Sequence, residues 1–293
     1  MITLLATLSV LASPALRDEP LVVSAAWLAG HLQDKNLVLM HIGERAGYDS
    51  GHIAGAQFLA PTVEWSTPRV EGRLFLELPD VAVLDSALET RGIFNDSRIV
   101  LYSANQYFTP TSRALFTLEY LGLRGRVSIL DGGIEAWKAE GRPLSTDVPK
   151  PETGKFTPHP DPSLVVDAAF VAGHLTDPQV HIVDARDTAF YNGRETNQGR
   201  NGHIPGAASV PFQSIMDSTG HFRPVPDLEA KFASVGVSKG QTVVTYCHIG
   251  QQASLVWFGA RLTGHLAKLY DGSFQDWSRS PYLPIESEAK QRP

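Results

Sequence analysis

The chain has 293 residues, more than one average domain of ~100–200 residues needs and about right for two. Its composition, 43% hydrophobic and 19% charged with a formal net charge of −6, is that of an ordinary globular protein. It excludes the basic footprint that a nucleic-acid partner requires.

Residues 1–17 begin with an apolar run, ITLLATLSVLASPAL, that ends in small residues ahead of the charged RDEP at 17–20. The run is short of the ~20 residues a membrane-spanning helix needs. It reads as a secretory signal cleaved near Ser13-Pro14-Ala15, although no Lys or Arg precedes it. A periplasmic or secreted location is the expectation, with no stable membrane association after leader removal. The protein is cytoplasmic if the segment is not a signal. In an oxidising compartment the single cysteine, Cys247, has no internal partner, so its thiol serves something other than a staple.

From residue 18 onward the chain says everything twice. LVVSAAWLAGHL at 21–32 returns as LVVDAAFVAGHL at 164–175, identical at nine of twelve positions. GHIAGA at 51–56 answers GHIPGA at 202–207, RIVLYS at 98–103 answers TVVTYC at 242–247, and DGGIEAW at 131–137 answers DGSFQDW at 271–277. Matched blocks in one order mean a tandem duplication. The stretch VPKPETGKFTPHPDP, 148–162, with five prolines and no apolar period, is expected to be an extended linker. The domains are then 18–147 and 163–293.

Within each copy, β-branched runs (LVLMHI, RIVLYS and RVSIL; then VHIVDA, TVVTY and AKLY) alternate with helix-period segments such as TSRALFTLEYL and QASLVWFGARL. In the last, Ala253, Val256, Trp257 and Ala260 share one face. The pattern predicts an α/β fold, each domain a mainly parallel sheet flanked by helices, with sites at the carboxyl ends of strands. Cys247 falls at such an end. The following residues His248, Ile249, Gly250, Gln251 and Gln252 read as a tight strand-to-helix turn whose unpaired N–H groups and helix dipole cradle an anion. The same cradle is expected to lower the thiol pKa from its ordinary ~8.5, and it suits the terminal charge of a persulfide. A lone cysteine is also a common small core residue, but its place before a glycine and a helix favours a nucleophile.

The paired GHI(A/P)GA and DG(G/S)…W blocks, the VDAR at 183–186 and the YCHIGQQAS loop together resemble the tandem-domain rhodanese sulfurtransferases, in which only the C-terminal domain keeps the nucleophile. The resemblance covers nearly all of residues 20–285. It implies that Cys247 takes a sulfane sulfur from a small anionic donor, thiosulfate first and 3-mercaptopyruvate as the alternative. The sulfur then passes from a Cys247 persulfide to a thiophilic acceptor such as cyanide, a thiol or a protein thiol. Residues 248–252 become the substrate loop. The first copy is expected to be catalytically silent, because Ser103 stands where Cys247 does, His41 where Asp184 does and Gly43 where Arg186 does.

Arg186 is expected to organise the domain through carboxylates or to contact the donor. Relatives commonly hold the donor with an arginine a few residues further on, where this chain has Phe190; Arg194 and Arg200 are the substitutes to test. His248 is either a general acid or a fixed lining, and His52 and His203 read as turn-stabilising hydrogen bonders. No metal and no cofactor is expected, since the histidines show no metal-ligand spacing such as H-E-x-x-H and one cysteine is too few for the usual cysteine-rich structural zinc site. A phosphatase of the same fold needs Cys-x5-Arg, and position 253 is Ala. A binding or sulfide-sensing module without activity stays open as a reading of a different class.

Overall fold

In the computed structural model, which describes residues 20–60, 65–196 and 199–288, the apolar runs form two five-stranded sheets. The leader read at 1–17 lies outside the described residues. The first sheet holds β1 (Val22–Val23), β2 (Leu37–Ile42), β3 (Gln57–Leu59), β4 (Arg98–Ser103) and β5 (Val127–Leu130), in the order β1-β5-β4-β2-β3. The second holds β6 (Val165–Val166), β7 (Val180–Asp184), β8 (Ala208–Ser209), β9 (Thr242–Tyr246) and β10 (Leu266–Tyr270), in the order β6-β10-β9-β7-β8. Every pairing is parallel. The two orders are the same order, so the duplication seen in the residues is a duplication of topology.

Parallel strands need crossovers, which place helices on both faces and bury the strands on both sides. That is why LVLMHI and RIVLYS read as continuous apolar runs, with only the first residue of each less than fully buried. The helices at Thr109–Leu118 and Gln251–Leu262 follow β4 and β9 and pack against each other across the two domains. Each is buried nearly all round, the first over its whole length and the second from Ala253 to Ala260, because each faces its own sheet on one side and its counterpart on the other. Phe116 meets Trp257 edge to face at 5.0 Å, an arrangement that adds to the simple burial of both rings. The equivalent serines of the two copies, Ser112 and Ser254, share a hydrogen bond of 3.0 Å at this contact. The largest apolar core runs through it from one domain into the other.

Residues 146–161 form no helix or strand. They are nevertheless laid along the first domain by backbone bonds from Gly154 to Glu89, His159 to Leu121 and Asp161 to Tyr120, with Phe156 buried. Among the described residues, no helix is long and apolar enough to cross a membrane.

Candidate functional site

β9 lies in the middle of its sheet and ends at Tyr246, so the next residue, Cys247, emerges at a carboxyl edge flanked by β7 and β10. The chain then turns through Gly250, whose φ of 86° admits no other residue comfortably. A Cβ there would lie 2.9 Å from the Asp271 carbonyl and 3.2 Å from an Arg113 nitrogen. The turn wraps the sulfur, and the backbone N–H groups of Ile249, Ala253, Gln252 and Gly250 favour its anion. Two further bonds brace the loop from below, Phe274 N–H to the Cys247 carbonyl at 2.9 Å and Gln275 N–H to the His248 carbonyl at 3.0 Å.

Cys247 is fully buried. Burial pushes its thiol above the ordinary value, and the four amides pull against it without prevailing. The lowered pKa expected from the helix N-terminus is therefore corrected: in the resting thiol, desolvation of the anion outweighs the donors.

His248, Ile249, Gln251 and Gln252 line a cavity of about 340 Å³. Its remaining walls, Arg69, Phe75 and Tyr107, come from the first domain. Burial and the nearby Arg186 charge push His248 down to about 4, so it is neutral near pH 7 and does not serve as a cationic general acid there. Phe190 stands edge-on to its ring at 4.6 Å. Gln251 reaches across to the Thr109 hydroxyl at 3.2 Å. Gln252 leaves its side-chain oxygen without a partner.

The three arginines singled out in the sequence are placed elsewhere. Arg186 is buried in a two-pronged pair with Asp184, at 2.6 and 3.0 Å, and donates to the Gly202 carbonyl. It stacks 4.0 Å over Phe274. Arg194 is exposed on its loop. Arg200 donates to the Ser280 and Leu283 carbonyls at 2.7 and 3.0 Å, which ties down the C-terminal segment. None of the three lines the cavity. His52 and His203 bond the Tyr48 and Tyr191 carbonyls at 2.8 and 2.7 Å and stack on those same tyrosines.

Sequence reading missed Ser273. Its backbone sits at φ 53°, rare for a residue with a Cβ, and its hydroxyl accepts the Cys247 N–H at 3.2 Å. The signal was the change from DGG in the first copy to DGS in the second. Arg69, Phe75 and Gln275 were missed as well. The Gln275 amide brackets the Phe75 backbone, donating to its carbonyl at 3.0 Å and accepting its N–H at 3.4 Å.

In the first copy the corresponding loop is spent on itself. Ser103 donates to the Tyr107 carbonyl at 3.2 Å, and Asn105 accepts the Tyr107 N–H at 2.8 Å. His41 is buried, held near 4 by desolvation and then by His52, and its Nε2 has no partner. A larger cavity of about 600 Å³ opens beside β6 and β10, but Glu77, Asp167, Asp271 and Asp276 border it. That charge repels an anionic donor, and the Cys247 loop takes no part in it.

A rhodanese-like domain model matches residues 24–140 and again 167–280. The chain is 31% identical over 279 residues to the sulfur carrier protein TtuD of Thermus thermophilus, covering 90% of this chain and 95% of that one. It is 34% identical to a Pseudomonas aeruginosa protein named "Probable 3-mercaptopyruvate sulfurtransferase", covering 90% and 97%. It is 29% identical to the thiosulfate sulfurtransferase of Azotobacter vinelandii, covering 91% and 97%. Among solved structures, the anaerobic ergothioneine biosynthesis enzyme of Chlorobium limicola in complex with trimethyl histidine superposes with a TM-score of 0.81 at 25% identity, over 92% of this chain and 71% of that one.

Proposed function

The chain belongs to the rhodanese-like family, and from that premise we propose that it carries sulfur as a persulfide on Cys247. The protein is a sulfurtransferase enzyme built from two tandem rhodanese domains. The observation that carries the Cys247 assignment is a lone sulfur at the end of the central strand, at the turn into the Gln251–Leu262 helix whose backbone N–H groups favour its anion.

With thiosulfate as donor, the Cys247 thiolate attacks the sulfane sulfur, the S–S bond of thiosulfate breaks, and sulfite leaves with the electron pair. The enzyme is left as Cys–S–S⁻, whose charge the loop amides solvate. Cyanide or a thiolate then attacks the terminal sulfur and the Cys247 thiolate is released. No cofactor enters either step. The cavity of about 340 Å³ fits a small donor, and thiosulfate is ranked ahead of 3-mercaptopyruvate.

Intact-mass spectra of the protein incubated with each donor test this. A gain of one sulfur on Cys247, removed by cyanide with release of thiocyanate, is the expected result. A folded protein with a free thiol that gains nothing from either donor would favour a non-catalytic, sulfide-sensing module. Export is part of the same proposal: N-terminal sequencing of protein from a periplasmic or culture fraction is expected to begin after the apolar run, and a mature chain that retains Met1 would reject it.

A further inference from the structure

We propose that Arg69, on a loop of the catalytically silent first domain, holds the anionic end of the sulfur donor while Cys247 of the second domain takes its sulfur. The proposal rests on the Cys247 reading above and adds the group that selects the donor.

The site needs a cation that its own domain does not supply. The charge of Arg186 is matched by Asp184, Arg200 is spent on two carbonyls, Arg194 lies outside the cavity, and His248 is neutral near pH 7. Phe190 stands where the family resemblance implies an arginine, and its ring packs edge-on against His248. Arg69 is the one cationic side chain among the described residues that line the cavity. Its guanidinium makes no hydrogen bond or ion pair with another described residue and rests 5.3 Å over the Phe75 ring. A planar guanidinium with open donors matches the oxygens of a sulfonate or a carboxylate.

The loop that carries Arg69 is fixed to the catalytic domain. Residues 67–77 close on themselves through Thr67 N–H to the Glu77 carbonyl and Leu76 N–H to the Thr67 carbonyl, at 2.8 and 3.1 Å. The second domain clips the closed loop from several sides. Gln275 brackets Phe75, Asp271 accepts the Leu78 N–H at 2.8 Å, and Arg279 donates to the Gly72 and Arg73 carbonyls at 3.2 and 2.9 Å. Gln275 also braces His248, so one residue links the loop of Arg69 to the loop of Cys247. A charge held this way meets the donor without a large ordering cost at the moment of binding.

The test compares the full-length wild type with Arg69→Gln and Arg69→Lys by two readouts. In turnover with thiosulfate at saturating cyanide, Arg69→Gln is expected to raise the donor KM about 10- to 100-fold, the range of a lost charge-assisted contact, with little change in kcat. Arg69→Lys is expected to recover most of the loss. In alkylation of Cys247, the ratio of iodoacetate to iodoacetamide rates is expected to fall by a similar factor in Arg69→Gln, because only the anionic reagent uses the cation. An unchanged KM overturns the proposal, and so does a raised KM with an unchanged ratio, which would mark a merely structural residue. If the wild type fails to load sulfur at all, the persulfide reading fails instead, and the alkylation ratio still decides on Arg69.

Discussion

Cys247→Ser is expected to reduce sulfur transfer by about 10³-fold or more, the scale on which enzymes respond to loss of a covalent nucleophile. A serine hydroxyl is a far poorer sulfur acceptor than a thiolate, and the chain already contains the comparison at Ser103. The fold is expected to survive. The new hydroxyl falls among the N–H groups of Ile249, Gly250, Gln252 and Ala253, so it is not left buried without a partner, and stability should stay within about 1–2 kcal/mol of the wild type. Steady-state turnover with thiosulfate and cyanide, beside a urea melt, reads both. Ser103→Ala is the control and is expected to leave the rate unchanged, since Ser103 serves only its own loop. Comparable turnover in Cys247→Ser would end the persulfide mechanism.

Arg113→Ala carries the second large effect, and it concerns how the first domain supports the second. Arg113 and Asp271 form a buried pair across the domains at 2.5 Å, with side chains 4% and 9% exposed. The other arm of Arg113 donates to the Leu76 carbonyl at 2.8 Å, holding a residue whose φ is 61°. Removing the guanidinium leaves Asp271 charged, buried and short of its partner, a change that costs about 3–5 kcal/mol. Urea unfolding is expected to show that loss, accompanied by a raised donor KM as the loop of Arg69 and Phe75 loses an anchor. Arg113→Lys should recover only part, because a compact ammonium lacks the planar fork whose two arms reach Asp271 and the Leu76 carbonyl. The double variant Arg113→Met with Asp271→Leu should be more stable than Arg113→Ala alone, since neither charge is then stranded. A stability change below about 1 kcal/mol in Arg113→Ala would show that the pair is not what joins the domains.

The pair also marks where reading the residues stops. Asp271 belongs to a DG turn repeated in both copies, and as a turn it needed no partner; that it faces Arg113 follows only from the packing of the 109–118 helix on the 251–262 helix. The aromatic of the same motif, Trp277, is buried, and its indole N–H reaches the Pro284 carbonyl at 2.8 Å. In the first copy Trp137 makes the same bond to Pro143 at 2.9 Å.

By itself the sequence determined the duplication, the parallel α/β layering, the position of Cys247 at a strand end and the serine that takes its place in the first copy. These depend on short-range patterns: apolar runs buried on both faces, a glycine where φ is positive, and a serine at the place of a cysteine. The tertiary structure alone decided the charges and the thiol. Arg186 lies two residues from Asp184 and is neutralised by it, Arg200 is drawn into carbonyls of the C-terminal segment, and Arg69 reaches the cavity from another domain. The balance at Cys247 between burial and four amides is likewise a sum over neighbours distant in the chain. Electrostatic interaction depends on distance and solvent exposure, and neither is written in the spacing of residues along a sequence.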